Sequence, residues 1–83
     1  MKNITFTPQA YKDYLGWLRE DKKIFTKITE LIQATARNPL SGIGNPEKLK
    51  HELSGYWSRR INQHHRLVYQ ITEETIYYYN CFM

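Results

Sequence analysis

Cysteine is nearly absent. The chain has one, Cys81, so no disulfide can close within it, which suits a reducing cytoplasm. Glycine is scarce, with four in 83 residues, and none sits in a phosphate-binding loop or a nucleophile elbow. No apolar run approaches the ~18 residues needed to cross a membrane. The first residues, Met1-Lys2-Asn3-Ile4-Thr5-Phe6, carry no long apolar stretch and no cleavage site, so a secretory signal is not expected. Length itself is short: at 83 residues the chain is expected to form a single domain over 1–83, not a multidomain enzyme, a rod or a solenoid. Such a chain buries only about 60% of its unfolded surface. Repeats and low-complexity stretches are also missing. Aromatics, at 14%, are too many for a disordered chain.

Acidic residues are nearly missing from one stretch of under a quarter of the sequence. Residues 48–66 hold Lys48, Lys50, Arg59, Arg60 and Arg66 against the single acid Glu52, and this excess equals the whole net charge of +4. All three histidines, His51, His64 and His65, lie there too, with Tyr56 and Trp57 among them. Basic groups interleaved with aromatics suit a polyanion, nucleic acid first. The same residues also fit a solvated basic face with no partner.

The pattern along the chain predicts an α+β domain. Residues 2–6 alternate like a short strand. Thr7-Pro8 marks a helix start, because threonine caps a free amide and proline at the first position loses no needed donor. Tyr11, Tyr14, Leu15 and Leu18 form one helical stripe. Glu20-Asp21 breaks it, with Asp21 the cap of a second helix carrying Ile24, Ile28, Leu31, Ile32 and Thr35. Pro39 ends that helix. Residues 38–46, with two prolines and two glycines, form a loop. Beyond it the period becomes two, predicting strands at 49–53, 56–61, 65–72 and 75–82. The expected order is β-α-α followed by an antiparallel four-strand meander, with the helices packed on one face of the sheet. Tyr11, Tyr14, Phe25 and Tyr77-Tyr78-Tyr79 are expected in core and sheet packing, while Trp17 and Trp57 fit either packing or base stacking.

Alternation then sorts the strand residues. Leu67, Tyr69 and Ile71 are expected to face the helices, leaving Arg66, Val68 and Gln70 outside. If Trp57 and Ile61 pack inward, Arg60 joins Arg66 on the open face. Two arginines there can clamp a phosphate, because the planar guanidinium matches its oxygens. Glu47 borders the same face, and a carboxylate beside arginines can serve as a proton acceptor. RNA cleavage by its own 2′-hydroxyl needs this pairing: a base for the hydroxyl proton and cations for the crowded phosphate. Read alone, the same residues also fit ordinary surface ion pairs. His64-His65 and the scattered carboxylates make no zinc site, and no metal or cofactor is expected. Cys81 reads as a small buried strand residue.

The run Pro46-Glu47-Lys48-Leu49-Lys50-His51-Glu52-Leu53-Ser54-Gly55-Tyr56-Trp57-Ser58-Arg59-Arg60-Ile61, followed by His65-Arg66-Leu67-Val68-Tyr69, resembles the YoeB-type toxins of the RelE/ParE superfamily. The likeness extends to Asp13-Tyr14-Leu15, Trp17, Asp21-Lys22 and Lys27–Ile32, nearly the whole chain. It implies a RelE-like fold and a toxin of a bacterial toxin–antitoxin pair. Such toxins enter the ribosomal A site and cut mRNA there without metal, by 2′-hydroxyl attack. The resemblance also implies a cytoplasmic location, a YefM-type antitoxin, a possible homodimer, and contact with operator DNA only through the antitoxin complex. Carried over by position, Glu47 is the general base, and Arg66 stabilises the phosphate with support from Arg60. Lys50 holds the RNA or neutralises charge. Lys48, Arg59 and the helix lysines meet ribosomal RNA phosphates.

Two departures stand out. Family members usually end Cys-Arg-x-His-Tyr, with the histidine as general acid. Here the sequence reads Cys81-Phe82-Met83, and that histidine would fall one position later. His64 stands where the family often has an acid; two residues from Arg66, it is a candidate substitute acid if the strand begins there. Three functions follow: an mRNA endoribonuclease, active or weakened; a non-cutting module that binds antitoxin or ribosome and co-represses the operon; and a gyrase-directed toxin, against which the Glu47 and Arg66 pattern argues.

Overall fold

Two capping residues set the helices. In the computed structural model, which describes residues 1–80, Thr7 Oγ1 accepts the amide of Ala10 at 3.1 Å, and Pro8 opens helix α1 (Pro8–Glu20). Asp21 does double duty. Its own amide closes α1 on the Trp17 carbonyl at 2.9 Å, and its Oδ1 accepts the amides of Lys23 and Ile24 at 3.0 and 3.4 Å. This starts α2 (Lys22–Arg37) with no intervening loop.

Strand β1 (Asn3–Phe6) precedes the helices; β2 (Glu47–Lys48), a single 3₁₀ turn (His51–Leu53), β3 (Trp57–Arg60), β4 (Arg66–Ile71) and β5 (Thr75–Asn80) follow. The sheet order is β1-β5-β4-β3-β2. The last four strands form the expected antiparallel meander. β1 pairs in parallel with β5, from Asn3 opposite Thr75 to Phe6 opposite Tyr78. A register shift beside Val68 and Tyr69 leaves Tyr79 as the extra residue of β5.

The core lies between one sheet face and the helices. Ile28, Leu31 and Ile32 of α2 pack with Leu67 and Tyr69 of β4 and Ile76 and Tyr78 of β5, all buried. Trp57 and Ile71 pack against this cluster, and Ile61 joins it, so the inward set of alternating residues is the expected one. The Tyr78 hydroxyl donates to the Ile32 carbonyl at 2.7 Å, and burial pushes its phenol pKa far up. Among the described residues no helix is long and apolar enough to cross a membrane.

Three expectations are corrected. The α1 stripe is rotated: Ala10 and Asp13 are buried with Tyr14 and Trp17 beside them, whereas Tyr11, Leu15 and Leu18 are exposed. The small side chain of Ala10 lets the helix lie close to the sheet; a reading weighted to large apolar residues selects the neighbouring stripe. The strand expected at 49–53 sits earlier, at Glu47–Lys48. Leu49 still donates to the Tyr56 carbonyl at 2.9 Å, but His51 then takes a left-handed φ of 59° and the chain turns. Of the tyrosine run only Tyr78 is core; Tyr77 and Tyr79 are exposed, with Tyr79 against Tyr56 at 5.3 Å between ring centroids. Cys81 and the end of the strand expected at 75–82 lie outside the described residues.

Candidate active site

Register assembles the site from three strands. Glu47 pairs with Ser58 across β2–β3, Ser58 with Val68 across β3–β4, and Arg60 with Arg66. Directly paired residues share a face, as do residues two apart. Glu47, Ser58, Arg60, Val68 and Arg66 therefore share the face turned away from the helices, as alternation predicts for the two arginines.

The side chains meet there. Arg66 Nη1 donates to Glu47 Oε2 at 3.2 Å and to Ser58 Oγ at 3.4 Å. The Glu47 side chain is 57% exposed and that of Arg66 32%, so the pair faces solvent and adds little stability by itself. What it offers is chemistry: a carboxylate able to take a proton beside a guanidinium able to hold a phosphate, with a second guanidinium on the neighbouring strand. Ser58 was not singled out by the sequence, although its place two residues before Arg60 puts it on this face. Fully buried, it supports Arg66 from below.

The other candidates scatter. Arg60 is exposed, and its amide donates to the Gly44 carbonyl at 2.6 Å. Lys48 is exposed but pairs with Trp57, which places it on the opposite face of β2 from Glu47. Lys50 is exposed just before the 3₁₀ turn.

Arg59 is a correction. Expected at RNA phosphates, it is 0% exposed. Its Nε donates to Tyr69 Oη at 3.2 Å, its Nη1 to the Ile43 carbonyl at 3.1 Å, and its Nη2 to the carbonyls of Ser41 at 2.9 Å and of Asn38. Alternation puts it on the helix side with Trp57, and there the loop carbonyls replace its water. Burial raises the Tyr69 phenol pKa, and the Arg59 guanidinium beside it offsets part of that rise.

His64 is the second correction. β4 begins at Arg66, and His64 lies exposed in the β3–β4 turn. There the Asn62 side chain accepts the amides of both His64 and His65 at 2.8 Å. Strand alternation therefore does not carry His64 to the side of Arg66. The His65 ring packs edge-on to Trp17 at 5.0 Å, which gives that tryptophan a packing role.

Comparison with known proteins agrees with this fold. The family described as "YoeB-like toxin of bacterial type II toxin-antitoxin system" matches residues 6–82. A toxin named YoeB from Mycobacterium bovis is 50% identical over 76 residues, spanning 92% of this chain and 89% of the relative. The structure of a YoeB dimer from Staphylococcus aureus is 51% identical with a TM-score of 0.90, over 99% of this chain and 95% of that one. A heterotetrameric YoeB–YefM complex from the same organism is 50% identical with a TM-score of 0.89, over 100% and 97%. With half its residues shared along nearly its full length, the chain belongs to the YoeB-like toxins of bacterial type II toxin–antitoxin systems.

Proposed function

We propose that this chain is a ribosome-dependent endoribonuclease that cleaves mRNA in the A site and so stops translation. The observation that carries the reading is the 3.2 Å contact between Glu47 and Arg66 on an open face with Arg60 opposite Arg66. Glu47 takes the proton of the 2′-hydroxyl. The freed oxygen attacks the adjacent phosphorus to close a 2′,3′-cyclic phosphate, and the bond to the 5′-oxygen breaks, that oxygen taking a proton from solvent water. Arg66 meets the charge that builds on the phosphate, and Arg60 adds to the field. In the free protein Arg66 is engaged by Glu47, so an arriving phosphate competes for that guanidinium. Lys50 and Lys48 draw RNA phosphates from outside the ion pair. Partners follow from the relatives: a YefM-type antitoxin, with which the chain meets operator DNA, and a second copy of itself.

The test uses ribosomes programmed with a defined A-site codon. The parent is expected to cut within that codon and Glu47→Ala to leave the mRNA intact. A parent that binds ribosomes or antitoxin and never cuts makes the chain a binding module and co-repressor instead. A version lengthened by His-Tyr after Met83 reports what a proton donor there adds to the rate.

A further inference from the structure

The loop at 38–46 has no regular structure, yet its backbone is held along its length. Arg59 takes the carbonyls of Asn38, Ser41 and Ile43, and Tyr69, itself bonded to Arg59, donates to that of Pro39 at 3.2 Å. The amide of Arg60 takes the next carbonyl, that of Gly44, at 2.6 Å. Gly44 lies so close that a Cβ there would stand 2.7 Å from Leu31 Cδ2 and 3.0 Å from Arg59 Cβ. Its φ of +81° also suits glycine. Glu47 follows three residues later, on a strand of two residues. Two rungs of ladder are a weak anchor for a side chain that must meet a proton at hydrogen-bond range.

Four oxygens receive the guanidinium protons of Arg59: three carbonyls and one phenol, with no carboxylate among them. Burying a cation is costly unless its surroundings are well matched to it. A planar fork spreads its donors over four oxygens of separate residues, whereas a lysine ammonium directs its three donors from a single point.

We propose that Arg59 is a positioning residue, which clamps the 38–46 loop and thereby fixes the Glu47 carboxylate against Arg66. The inference rests on Glu47 being the base of the reaction. It goes beyond that reading in giving a buried residue of β3, which touches no substrate, control over the place of the base.

Two measurements on the full chain test it. In the first, amide exchange compares the parent with Arg59→Lys. The Arg60 amide is expected to exchange roughly tenfold faster or more, while the β4–β5 amides keep their rates. In the second, single-turnover cleavage on programmed ribosomes follows the parent, Arg59→Lys, Glu47→Ala and the double variant. Arg59→Lys should slow cleavage by about tenfold to a hundredfold. Ribosome affinity should stay within about twofold. The double variant should be no slower than Glu47→Ala, because both act through one carboxylate. Unchanged Arg60 exchange, unchanged cleavage in Arg59→Lys, or two independent losses that multiply would each overturn the proposal. If Glu47→Ala cleaves as fast as the parent, the assignment of the base has failed, and Arg60 exchange still decides the clamp. Should Arg59→Lys not fold, Tyr69→Phe enters both measurements. It removes the oxygen that accepts from Arg59 and the proton given to Pro39, and the same outcomes apply.

Discussion

Arg60 stands directly opposite Arg66 across the β3–β4 ladder, so two guanidinium side chains share one rung and one face of the sheet. Like charges placed opposite each other destabilise a strand pair, and Glu47 answers only the Arg66 side. Such a rung is favourable when an anion lies over it. Replacing Arg60 by Gln should therefore stabilise the free protein by about 0.2–1 kcal/mol. Urea unfolding reads that gain, and the same variant should cleave more slowly. A destabilised Arg60→Gln with full cleavage contradicts the assignment.

Glu47→Gln separates chemistry from fold. The pair it breaks faces solvent, so the stability change should stay below about 1 kcal/mol. Cleavage should fall by about 10²–10⁴-fold if the carboxylate is the base. Thermal unfolding and single-turnover cleavage on one preparation give both numbers.

Asp21 caps α2 through two amides and ends α1 through its own. Asp21→Ala removes the side-chain part and should cost about 0.5–2 kcal/mol. Asp21→Asn should keep most of it. Equal losses in the two variants would rule out the hydrogen bonds as the source.

Two glycines should respond with opposite sign to the same change. A methyl at Gly16, inside α1, meets nothing within 4 Å, so Gly16→Ala should stabilise by about 0.5–1 kcal/mol. Gly44→Ala meets Leu31 and Arg59 at a left-handed φ and should destabilise by more than about 1 kcal/mol. The comparison is read from urea midpoints at constant slope.

Alkaline pH should unfold the protein through its buried phenols. Tyr69 and Tyr78 are both raised above the ordinary value of 10.0, chiefly by burial. The stability tied to their neutral form is complete below pH 10 and is lost as pH rises above it. There the unfolded chain ionises while the folded phenols hold their protons. The slope should approach about 1.4 kcal/mol per pH unit for Tyr78, and Tyr69 adds to it with the same sign. Tyr78→Phe should flatten it, measured by urea unfolding between pH 8 and 11; an unchanged slope refutes the cause.

What the sequence disclosed depended on whether the signal was local. Thr7, Pro8 and Asp21 act on amides within three residues, so their roles were legible. The shared face of Arg60 and Arg66 followed from strand period alone. Arg59 was misread because its charge suggests water, while its place beside Trp57 puts it under the loop; the carbonyls that receive it lie 16 to 21 residues earlier. His64 was misread because the Asn62 side chain caps two amides and delays the strand to Arg66. The β2 segment moved because a left-handed His51 is not announced by apolar alternation.

The parallel pairing of β1 with β5 joins residues more than seventy positions apart, Asn3 with Thr75 and Ile4 with Ile76. Contacts of such sequence separation form slowly, since a long loop must close before any rung rewards it. During synthesis the first strand has no partner until β5 has been made, some seventy residues after it. Until then the β1 edge and the β4 edge that β5 joins both stand unpaired, so the sheet closes only when its first and last described strands meet.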